Sequence, residues 1–98
     1  VDRAVSDRVC LITGVGPGTG AASAESIARS LWPQGVHVAY LTIDAVIDLA
    51  WTRQMFADKP DDFFVTPAAI ADECWHIAHQ PRAAWSFDVQ IRPFGECW

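Results

Sequence analysis

The apolar run Val9-Cys10-Leu11-Ile12 leads directly into Thr13-Gly14-Val15-Gly16-Pro17-Gly18-Thr19-Gly20, and a helix-forming stretch follows at once. Four glycines in eight residues leave few ways to fold. A buried strand that ends in such a turn and enters a helix brings bare backbone N–H groups to one point, where a phosphate can lie against them. Any side chain there would hold the phosphate oxygens off and resist the tight turn. The same residues also suit a strand-to-helix turn that holds no ligand, so the motif is weighed with the rest of the chain.

The spacing is Thr-Gly-x-x-x-Gly-x-Gly. It departs from Gly-x-Gly-x-x-Gly because Ala21 stands where the third glycine of that pattern would fall. In this form the loop resembles the nucleotide loop of the short-chain dehydrogenase/reductase family. Residues 24–98 resemble the C-terminal third of the same family. Ala24 to Leu31 is similar to its late helix, which stops at Pro33 and Gly35 before the strand that begins at Val36. Ile43-Asp44-Ala45-Val46-Ile47-Asp48 falls where the family has a loop against the nicotinamide. Trp85-Ser86-Phe87-Asp88-Val89-Gln90-Ile91-Arg92-Pro93 is similar to its last strand. The two matches cover nearly the whole chain, which reads as the family with its middle removed.

The resemblance implies an NAD(P)-binding protein of oxidoreductase ancestry, in the class that interconverts carbonyls and alcohols. Thr13, Gly14, Gly16, Gly18, Thr19 and Gly20 would face the cofactor phosphates, and the backbone of Ile47 would meet the nicotinamide carboxamide. Asp44 stands at the family's common Pro, Ala45 at its common Gly, and Leu49 where a Thr often touches the diphosphate. The residue that selects NAD or NADP follows a strand this chain lacks, and half the adenosine pocket goes with it. Binding is therefore expected to be weak or vestigial.

The family's chemistry needs a Tyr as proton donor, a Lys four residues on, and a Ser for the substrate oxygen. A phenol of pKa about 10 is a poor acid near neutrality without such a cation. The one tyrosine, Tyr40, is followed at the required spacing by Asp44, and the one lysine, Lys59, is preceded by Met55. No catalytic residue is assigned, and Tyr40 is expected to pack in the sheet. The chain is expected to be inactive alone, and a working enzyme with a different donor is the lesser reading. A second class of function is a non-catalytic association module, pairing with a like chain or a full-length relative.

At 98 residues the chain is read as one truncated domain. Strands near 8–13, 36–43 and 86–91, with helices near 20–32 and 66–80, give the order β-α-β-α-β. The expected fold class is therefore α/β, a reduced Rossmann-like unit of about three parallel strands. The family's fifth strand also ends in Thr-Gly, so residues 9–14 could take that slot and sit beside residues 36–43. Residues 44–65 are read as a long irregular segment with a short helix near 50–56. The hydrophobic share of 51%, with five tryptophans and five phenylalanines, exceeds what so short a chain easily buries, and implies a homo-oligomer.

A net charge of −5 without a basic stripe argues against nucleic acid. Three cysteines without Cys-x-x-Cys spacing read as small hydrophobes in a reduced, cytoplasmic setting. No run of about 18 apolar residues calls for a membrane. His76 and His79 beside Cys74 lack the second pair that four-coordination needs, so no metal site is assigned. Those histidines are read as surface residues, His37 as a partly exposed sheet residue, and Asp58, Asp61 and Asp62 as a solvated loop.

Overall fold

The computed structural model describes residues 9–14 and 19–95, with side chains from residue 20 onward. The chain is mixed α/β with short parallel strands. Strand β1 (Val9–Gly14) leads to helix α1 (Thr19–Leu31), strand β2 (His37–Ile43) and strand β3 (Val46–Ile47). Helix α2 (Ala50–Met55), strand β4 (Phe64–Val65), helix α3 (Pro67–Ala78) and strand β5 (Asp88–Ile91) follow. The main sheet has the order β1-β2-β5, all parallel.

β2 is central because its sequence tolerates cover on both faces. Val38, Ala39, Tyr40 and Leu41 are all buried, as expected of a parallel strand with neighbours on each edge. β1 pairs directly with it, Val9 opposite His37 through Gly14 opposite Thr42. β1 is thus the immediate neighbour of β2. On the other edge Tyr40 lies opposite Asp88 and Ile43 opposite Ile91.

α1 packs against β1 and β2, with Ala24 fully buried. It stops where Pro33 forces a 3-10 turn and Gly35 takes a left-handed conformation, φ 85°, that an L side chain resists. α3 starts at the Thr66 cap, whose hydroxyl accepts from the Ala69 N–H at 3.1 Å, with Pro67 in the first helical position. Ile70, Cys74 and Ile77 recur at helical spacing and meet Ala39, Leu41, Val89 and Ile91.

Two expectations are corrected. Residues 44–65 contain the expected short helix, α2, but are less irregular than expected: β3 and β4 form a second, two-stranded parallel sheet around it, with Val46 opposite Phe64 and Ile47 opposite Val65. Arg53 holds this segment together by a bidentate pair to Asp48 (2.7 and 2.9 Å), a 2.7 Å bond to Asp61 and a position over the Phe64 ring. His37 is 1% exposed, not a partly exposed sheet residue. Its ring stacks on Trp85 at 4.7 Å and meets the edge of Trp32, while Nε2 donates to the Ser86 carbonyl at 2.7 Å. The ring's burial rests on these aromatic and carbonyl contacts, since its buried Nδ1 has no hydrogen-bond partner among the described residues.

Candidate functional site

The carboxyl ends of the parallel strands are where open α/β sheets place ligands. β1 ends there at Gly14, directly opposite Thr42. Thr13 and Gly14 are the last two residues of β1, and Thr19 and Gly20 the first two of α1. Gly16 and Gly18 lie outside the described residues. α1 carries no acidic residue in its first turn, so no side chain of its own offsets the positive end of the helix dipole. Four residues join strand to helix, and the elements flanking the glycine motif stand in the order that a phosphate loop requires.

The order β1-β2-β5 contains no reversal. The crevice that a doubly wound sheet opens at a reversal is absent from the described strands.

Two residues beyond Thr42, Asp44 closes β2. Its carboxylate accepts from Arg92 and, at 3.1 Å, from Gln90 Nε2. Arg92 follows directly on β5, so this pair ties the carboxyl ends of β2 and β5 together. The Asp44 backbone N–H adds a 3.0 Å bond to the Ile91 carbonyl. Asp44 is therefore committed to holding the sheet end.

Ile47 sits in β3, opposite Val65. Thr52, buried at the third position of α2, donates its hydroxyl to the Ile47 carbonyl at 2.5 Å and accepts from the Leu49 N–H at 2.9 Å. One hydroxyl thus fixes both the end of β3 and the start of α2. Beside it runs an apolar groove of about 350 Å³, lined by Ala45, Val46, Ile47, Leu49, Trp51, Thr52, Met55 and Phe56. Among the described residues no charged side chain lines it. A second groove, of about 430 Å³, follows α1 past Glu25, Ala28, Arg29, Trp32, Pro33 and Phe87.

Asp48 stands next to this region. The Arg53 hydrogen bond holds its carboxyl below the usual carboxylate range, against the opposing effect of burial. Arg53 is in turn held protonated by Asp48 and Asp61. Asp58, Asp61 and Asp62 are exposed, yet Asp61 is tied to Arg53.

Tyr40 is buried in β2, where the sheet was expected to take it. His76 is exposed on α3 and His79 just past its end, where the His79 ring bonds the Trp75 carbonyl at 2.7 Å. Among the described residues no three His, Cys, Asp or Glu side chains gather as metal ligands. Nor is any described helix long and apolar enough to cross a membrane.

The roles of Asp44, Thr52 and Arg53 escaped the sequence reading. Asp44 was placed only by its position in the loop, because its partner Arg92 lies 48 residues away. Thr52 and Arg53 belong to a short helix whose polar residues carry no motif. No family model, curated protein or solved structure matches this chain.

Proposed function

We propose that this chain is a reduced Rossmann-like unit that binds a dinucleotide, NAD or NADP, weakly and through its phosphates, without catalysing redox chemistry alone. The observation that carries the reading is the glycine-rich sequence from Thr13 to Gly20 lying between a parallel strand and a helix N-terminus. Gly14, Gly16, Gly18 and Gly20, with Thr13 and Thr19, would supply N–H groups and a dipole end to a pyrophosphate.

The nicotinamide end fits less well. The Ile47 carbonyl already accepts the Thr52 hydroxyl, which leaves it one lone pair for a carboxamide. Asp44 is occupied with Arg92 and Gln90. The chain has no tyrosine–lysine pair, and Tyr40 is buried in the central strand, which supports a role without proton transfer to a carbonyl oxygen.

Calorimetry with NAD and NADP tests this reading. The expected dissociation constants are no tighter than about 100 μM, or roughly −5.5 kcal/mol. Inorganic pyrophosphate should compete for the same sites. Submicromolar affinity would contradict a phosphate-only contact, and no heat at millimolar ligand would remove the dinucleotide reading.

A second reading, an association module that pairs with a like chain or a longer relative, is favoured by exposed apolar side chains. Trp51 is 61% exposed, Met55 66%, Trp75 70% and Phe94 93%. Surface of this kind favours burial against another chain. The two readings are compatible, since the glycine motif and these side chains occupy different elements.

A further inference from the structure

We draw no further inference here: the strongest candidate, the apolar groove that Leu49, Trp51, Met55 and Phe56 form beside β3, is an unpartnered surface and nothing in the structure shows what covers it.

Discussion

Replacing Thr52 by Val isolates the hydroxyl that holds Ile47 in place. The two side chains have nearly the same shape, while the hydroxyl's acceptance from the Leu49 N–H and its donation, shared between the Ile47 and Leu49 carbonyls, both disappear. A typical intramolecular hydrogen bond contributes about 0.5–1.5 kcal/mol net. The two losses differ in kind. Leu49 is exposed, so water can take over its N–H, whereas the Ile47 carbonyl lies in a half-buried strand and is left poorly satisfied. Together they should cost about 1–2 kcal/mol. In a domain of this size that lowers the melting temperature by about 5–15 °C. Hydrogen exchange gives the local readout: the Leu49 amide should lose protection in Thr52→Val and keep it in Thr52→Ser, which retains the hydroxyl. If only the β3–α2 segment opens, exchange changes with little effect on melting, and both outcomes leave the bond in charge. A Val variant with full Leu49 protection, beside a Ser variant that loses stability, would show that the methyl group matters and the hydroxyl does not.

Asp48 supplies an acid dependence of defined sign. Its folded pKa lies below the unfolded value of about 3.9, so its contribution is full above that value and is lost as pH falls through the folded one. Protection of the Asp48 amide, bonded to the Val65 carbonyl, should therefore fall, relative to its intrinsic exchange rate, below about pH 4. Arg53→Gln should abolish that dependence, and an unchanged acid profile would contradict it. Light scattering at tens of micromolar should show a dimer or larger species, since burying one exposed Trp or Phe contributes roughly 1.5–3 kcal/mol. Deleting residues 94–98 should weaken the association; Phe94→Ser should do the same while keeping the Gly95 N–H bond to Asp62. A monomer unaffected by either change would refute the association reading. Nicotinamide absorbance over a panel of aldehydes, ketones and secondary alcohols should stay flat, and steady turnover abolished by Tyr40→Phe would show that the buried phenol works as an acid.

What could be read from sequence was what short-range chemistry controls. The Thr66-Pro67 cap, the Pro33 and Gly35 stop and the β-branched run of β2 each act within a few residues of themselves. Those elements stand where the pattern placed them, to within a residue or two at most ends. β3 and β4 escaped because a two-residue strand has no period to detect. Each exists only because the other lies 18 residues away across α2. His37 was misjudged for a similar reason: its burial depends on Trp85 and Ser86, 48 and 49 residues on. Of the site, the flanks of the glycine loop follow from local order. The Asp44–Arg92 tie and the Thr52 bond to Ile47 needed the folded chain.

The central claim concerns where a dinucleotide touches this protein, and amide chemical-shift mapping tests it most directly. Titrating NAD into labelled protein should move the amides of residues 13–20, Pro17 excepted, first and furthest, with small changes at Ile47 and none along α3. ADP-ribose, which keeps the pyrophosphate and lacks the nicotinamide, should reproduce the shifts at residues 13–20. Shifts centred on any other element, or a glycine segment that stays silent at millimolar NAD, would contradict the account.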